Sequence, residues 1–102
     1  MVRKMDHTST RIKSFRCRET KKLFETGSSL RFKTIEAQAT LKLDQLDTVS
    51  QLSELAMPPG NQLKALKGDR LGQFSIRINK QWRLCFSWTD EGPINVEIVD
   101  YH

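Results

Sequence analysis

The sequence predicts an α+β domain, with an N-terminal strand and two to three helices packed on one face of a small twisted antiparallel sheet. Two observations predict it. Between residues 34 and 55 apolar side chains recur every three or four positions, whereas from Phe74 onward they recur every second position. Between the two regimes stands Pro58-Pro59-Gly60-Asn61, a firm stop for any helix. Helical and strand periods that segregate along a chain describe helices covering one side of a sheet. At 102 residues there is room for one core, so residues 11–102 are expected to form a single domain behind a disordered or basic extension, residues 1–10.

Taken in order, Arg11-Ile12-Lys13-Ser14-Phe15 alternates with period two, as a short strand does. Glu19 to Thr26 is expected to be a short helix with Leu23 and Phe24 inward and Gly27 ending it. Residues 28–33 read as a polar connector. Ile35, Ala39, Leu43 and Leu46 then form one stripe of an amphipathic helix over Thr34 to Asp47, with Thr34 as N-cap and Glu36 in the first turn. Val49, Leu52 and Leu55 continue at spacing three and predict a further short helix. Three strands follow, in which Phe74, Ile76 and Ile78, then Trp82, Leu84, Phe86 and Trp88, then Ile94, Val96 and Ile98 make up the apolar sets. Their connections are short, so an antiparallel meander is expected, with the apolar sets on the helices.

Composition narrows the function classes. Hydrophobic residues make up 37% and charged residues 28%, a globular balance. No apolar run approaches the length that crosses a bilayer, and Met1 to Thr10 lack the apolar centre of a secretion signal, so a cytoplasmic protein with no membrane partner is expected. Cys17 and Cys85 show no metal-ligand spacing and are expected as reduced thiols; His7 and His102 are too few and too far apart for a zinc site. No metal or other cofactor is expected.

The net charge of +5 is distributed in blocks. Residues 1–33 are strongly basic and residues 34–62 are acidic; then Lys64, Lys67, Arg70, Arg77, Lys80 and Arg83 fall within twenty positions. Such blocks attract polyanions. In the meander pattern Arg77, Arg83 and Tyr101 fall on the face away from the helices. The basic loop Leu63 to Arg70 leads straight into the meander, and the chain ends at Asp100-Tyr101-His102 directly off the last strand. One groove could therefore collect lysines, arginines, a phenol and an imidazole. Those groups match what cutting RNA by 2′-hydroxyl attack requires: an arginine fork for the phosphate oxygens, a group that titrates near neutrality, and a ring that stacks on a base. A solvated basic sheet face would show the same residues one by one.

The same residues carry a resemblance. Leu63-x-x-Leu66-Lys67-Gly68-Asp69-Arg70-x-Gly72, Ser75-Ile76-Arg77-Ile78, Gln81-Trp82-Arg83-Leu84-Cys85-Phe86 and Val99-Asp100-Tyr101-His102, with the opening Ile12-Lys13-Ser14-Phe15, resemble the HigB branch of the RelE/ParE toxins over roughly residues 11–102. The resemblance implies a toxin of a type II toxin–antitoxin system that cuts mRNA on translating ribosomes. It also implies a helix-turn-helix antitoxin of the HigA kind, with which the toxin forms a hetero-oligomer. By motif position Arg83 would stabilise the scissile phosphate, and Asp100, Tyr101 and His102 would serve proton transfer and positioning. Lys67, with Arg70, Arg77 and Lys80, would hold RNA or ribosomal backbone. Lys64 stands where some members carry a histidine, and would act there as a charge stabiliser or as an amine that gives up its proton. Two other readings share these residues: a ParE-like toxin that binds DNA gyrase, and a non-catalytic RNA-binding module.

Overall fold

The computed structural model describes residues 10–101. It is an α+β fold in which helices α1 (Arg18–Thr26) and α2 (Glu36–Thr48) cover one face of a four-stranded antiparallel sheet. The strands β1 (Lys64–Ala65), β2 (Gln73–Arg77), β3 (Trp82–Thr89) and β4 (Gly92–Asp100) stand in chain order, a plain meander. The expected class and the three long strands are present. The two-residue β1, inside what reads as a basic loop, is an addition.

Helix α1 buries Thr20, Leu23 and Phe24, and ends where Gly27, at φ 81°, donates its N–H to the Leu23 carbonyl. The segment after it is more than a polar connector. Ser29 and Phe32 are both buried. Two carboxylates fasten Ser29: its Oγ donates to Glu19 Oε1 (2.9 Å) and its N–H to Glu36 Oε2 (3.1 Å). Phe32 meets Trp82 edge to face at 5.6 Å, which places it in the core. Thr34 is not the N-cap expected of it. A 3₁₀ turn, Lys33–Ile35, runs directly into α2, so Thr34 lies within the turn and Ile35 takes the cap position. Ile35, Ala39, Leu43 and Leu46 all face inward as their spacing requires; truncating a side chain such as Leu43 to Ala costs about 2–5 kcal/mol.

The expected third helix is a 3₁₀ turn, Leu52–Ala56, opened by a reciprocal capping box between Gln51 and Glu54 that buries Leu55. A further 3₁₀ turn, Pro59–Asn61, follows, and Gln62 leaves it with φ 47° and ψ 57°, the left-handed region.

On the sheet, Phe74 pairs with Phe86, Ile76 with Leu84, and Leu84 with Ile98, so these sets share the helix-facing side. The β4 alternation breaks once. A bulge sets two β4 residues, Asn95 and Val96, against Phe86, with Asn95 at φ 54°. Ile94 consequently pairs with Ser87 on the outer face, and is only half-buried, which corrects its expected place in the core.

The expected N-terminal strand reduces to a single parallel bridge, Phe15 to Val96. Lys13 N–H still reaches β4 at the Pro93 carbonyl (2.8 Å), but other groups along this edge have different partners. The N–H groups of Arg11 and Ile12 both go to Asp47 Oδ1 (2.7 and 2.9 Å), and Thr20 Oγ1 on α1 takes the Ile98 N–H (3.0 Å). The β4 edge is thus closed by a short segment and a helix hydroxyl, not by a full ladder. Gly92 permits this closure: a Cβ there would lie 2.2 Å from the Arg11 carbonyl oxygen. No helix among the described residues is long and apolar enough to cross a membrane.

Candidate phosphate-binding cleft

Strand register puts Arg77 directly opposite Arg83 and Lys64 opposite Ser75, all on the face away from the helices. Tyr101 follows β4, its N–H donating to the Gln81 carbonyl (2.6 Å), which brings its ring over the same face. The Arg83 Cζ lies 5.9 Å from that ring's centre. A cleft of about 430 Å³ results, lined by Lys64, Arg77, Lys80, Arg83 and Tyr101 with Gln62 and Asn79. The β2–β3 hairpin that carries Lys80 is closed by Asn79, whose Oδ1 accepts from the N–H groups of Gln81 and Trp82 (both 2.8 Å).

Arg83 lies on the outer face yet is 6% exposed, because the chain from Gln62 to β1 passes over it. Its Nε donates to Ser75 Oγ (2.7 Å), and its Nη2 to the carbonyls of Gln62 (2.6 Å) and Ser75 (3.4 Å). These partners are all neutral oxygens, so they orient the guanidinium without cancelling its charge. Nη1 is not used by these bonds. Burial pushes the Arg83 pKa down and the charge of Arg77 adds to this, against the opposing influence of Cys85 and Tyr101. An arginine so treated still carries its proton at neutral pH. Two like charges directly across a strand pair oppose folding; an anion between them relieves that repulsion.

A family model described as the RelE-like toxin of type II toxin–antitoxin system HigB matches residues 13–102. This chain belongs to the HigB-like toxins. Over 62 residues it is 44% identical to Toxin HigB-1 of Vibrio cholerae serotype O1, a match that covers 61% of this chain and 65% of that protein, just under two thirds of its length. Over 93 residues it is 32% identical to Endoribonuclease HigB of Proteus vulgaris, covering 89% of this chain and 99% of that one. The family description places these toxins in a type II toxin–antitoxin system, which implies an antitoxin partner.

Of the residues that the sequence marks in this HigB-like chain, Lys64, Arg77, Lys80, Arg83 and Tyr101 come together in the cleft. Others do not. Asp100 pairs with Trp82, on the alternate side of the strand from Tyr101, and its Oδ2 accepts from Gln81 Nε2 (3.2 Å). It is absent from the cleft lining. Lys67 is exposed at the start of the 3₁₀ turn Gly68–Arg70, also outside the cleft. Arg70 is held by Glu97 Oε2 (3.1 Å) and Gln73 Oε1 (3.0 Å), and Arg16 Nε approaches the same carboxylate oxygen at 3.6 Å. His102 lies outside the described residues.

Sequence reasoning missed Gln62 and Ser75, the two residues that hold Arg83. Ser75 was visible as a small outward residue between Gln73 and Arg77. Gln62 carried no signal, since it acts through its carbonyl, which every residue has.

Proposed function

We propose that this toxin is a ribosome-dependent mRNA endonuclease that cuts by attack of a 2′-hydroxyl on the adjacent phosphorus. The observation that carries the reading is Arg83: a buried guanidinium on neutral oxygens, beside the Tyr101 ring, with Nη1 not used by those bonds, on a side chain that lines a cationic cleft. Arg83 Nη1 donates to a non-bridging phosphate oxygen, and the charge that grows there as the phosphorane forms is met by a donor already in place. Lys64 and Arg77 add positive charge around the same oxygens. The 2′-hydroxyl gives up its proton as O2′ bonds to phosphorus; the P–O5′ bond breaks, and O5′ takes a proton. The products are a 2′,3′-cyclic phosphate and a 5′-hydroxyl end.

His102, next to Tyr101 in the chain, is assigned the proton transfers, because imidazole exchanges protons near neutrality; a placed acid or base contributes ~10²–10⁴-fold. Tyr101 stacks on a base or on the Arg83 guanidinium. Asp100, tied to Gln81, braces the end of β4 in this reading. Lys67 and Arg70 stand outside the cleft, where Lys67 suits ribosomal RNA phosphates. The relative named Endoribonuclease HigB supports the reaction class. The neutralising partner is a helix-turn-helix antitoxin of the HigA kind, and the chain works in the cytoplasm, where its ribosomal substrate is.

The test uses ribosomes programmed with a defined mRNA, wild-type toxin, and a chain lacking Tyr101 and His102. Wild type is expected to leave cuts with cyclic-phosphate ends, and the shortened chain to leave the message intact while still binding antitoxin. Intact message with wild type, accompanied by altered DNA supercoiling, would move the chain to the gyrase-binding class. Retention of mRNA without cuts would make it an RNA-binding module.

A further inference from the structure

Asn61 is fully buried, and it is a polar residue for which the cleft has no direct use. Its side-chain amide donates to Gln45 Oε1 (3.1 Å) and to the Leu55 carbonyl (3.0 Å), while its Oδ1 accepts from Lys42 Nζ. Its N–H donates to the Pro58 carbonyl (3.0 Å). One side chain thus ties helix α2, the Leu52–Ala56 turn and the Pro59–Asn61 turn together. A buried amide with its donors and acceptor all used is a rigid joint, since releasing any partner strands a polar group in the interior.

The residue after this joint is Gln62, held in the left-handed region, and the Gln62 carbonyl receives Arg83 Nη2 at 2.6 Å. Two residues later Lys64 enters the cleft from β1. We infer that Asn61 is a positioning residue, which anchors the backbone before Gln62 to helix α2 and thereby sets the angle at which Arg83 presents its remaining nitrogen to the phosphate. Ser75 fixes one edge of the guanidinium from within the sheet; Asn61 fixes the other from the helical layer. Without the second anchor, Arg83 keeps its charge and its place on β3 but loses the alignment of Nη1. Displacement of a catalytic group by about 1 Å costs on the order of 10²-fold in rate.

The inference rests on the reading of Arg83 as the phosphate-stabilising group, and its test separates the two. Cleavage of mRNA on programmed ribosomes is measured for Asn61→Ala, Arg83→Lys and the double variant, with folding checked by circular dichroism and thermal melting. Asn61→Ala is expected to lower kcat by roughly 10–100-fold with KM within about threefold, because Lys64, Arg77 and Lys80 still bind. In the Arg83→Lys background the same change is expected to cost less than about threefold more, since both act through one group. Losses that multiply in the double variant, or wild-type kcat for folded Asn61→Ala, would overturn the positioning role while leaving the cleft intact. Full activity of Arg83→Lys would overturn the reading of the cleft itself. If Asn61→Ala does not fold, the cycle is run with Gln45→Ala, which removes one acceptor from a half-buried position; a smaller kcat loss that again vanishes beside Arg83→Lys supports the inference, and unchanged kcat refutes it.

Discussion

Arg83 and Arg70 lie on the same side of one sheet and differ in what meets them. Arg83 is received by a hydroxyl and two carbonyls, and Arg70 by the carboxylate of Glu97 and the amide of Gln73. The first arrangement orients a charge without neutralising it; the second neutralises it. Glu97 in turn draws in Arg16 from the N-terminal segment, so the Arg70 end of the sheet is a structural clasp between the turn before β2, β4 and the start of the fold. A cation's usefulness to an anionic ligand therefore follows from its partners more than from the side of the sheet it occupies.

The comparison can be broken by exchanging the two outcomes. Arg83→Ala is expected to lower cleavage by about 10²–10³-fold, as loss of a transition-state donor does, and to destabilise the fold by about 1–3 kcal/mol because Ser75 Oγ and the Gln62 carbonyl lose their donor. Arg70→Ala is expected to leave cleavage within about threefold and to show its loss in thermal melting. The reverse pattern in the two assays would assign the roles the other way. Next in size, Tyr101→Ala is expected to reduce cleavage about tenfold, from loss of a contact of ~1–2 kcal/mol, whereas Tyr101→Phe keeps the ring beside Arg83. Equal losses in both variants would put the hydroxyl, not the ring, in the reaction.

A smaller effect sharpens the contrast further. Glu97→Gln releases Arg70 and Arg16 from their shared carboxylate, so ribosome affinity is expected to become more salt-dependent, the log–log slope steepening by about one. An unchanged slope would mean that the released arginines do not reach phosphate. The smallest expected effect concerns Cys85, which is buried between the two arginines' partners on the outer face. Burial pushes its thiol pKa above the ordinary value of 9.0. The folded chain then holds a proton that the unfolded chain releases, so stability is full below the ordinary value and falls as pH rises from there through the raised one. Melting followed from pH 8 to pH 10 is expected to drop more steeply for wild type than for Cys85→Ala, and parallel curves would place the alkaline loss elsewhere.

Much of the fold is legible in the sequence. The stripe Ile35, Ala39, Leu43 and Leu46 announced α2, and the alternation from Phe74 to Trp88 announced two strands, because each pattern is a local period that one element satisfies alone. The reading failed where a distant group decided the matter. The N-terminal strand shortened to one bridge where distant groups replace ladder partners: Asp47, on α2, accepts the N–H groups of Arg11 and Ile12, and Asn95 at the β4 bulge donates to Ser14 Oγ in place of a backbone carbonyl. Ile94 moved to the outer face because one left-handed residue, Asn95, shifted the register beneath an unbroken alternation.

The site divides in the same way. Arg77, Arg83, Lys64, Lys80 and Tyr101 could be named from the sequence, because strand alternation and the basic block put them on one side. That Arg83 and Arg70 have opposite fates could not, nor that Asp100 turns from the cleft to Gln81. By itself the sequence determined which side chains occur at which period, and hence the class of the fold and the sign of its outer face. Tertiary structure alone decided which of those charges remain available, because the bonds that Asn61 makes, and those that the Gln62 carbonyl, Ser75 Oγ and the Glu97 carboxylate accept, join separate elements of the chain and leave no trace in a local pattern.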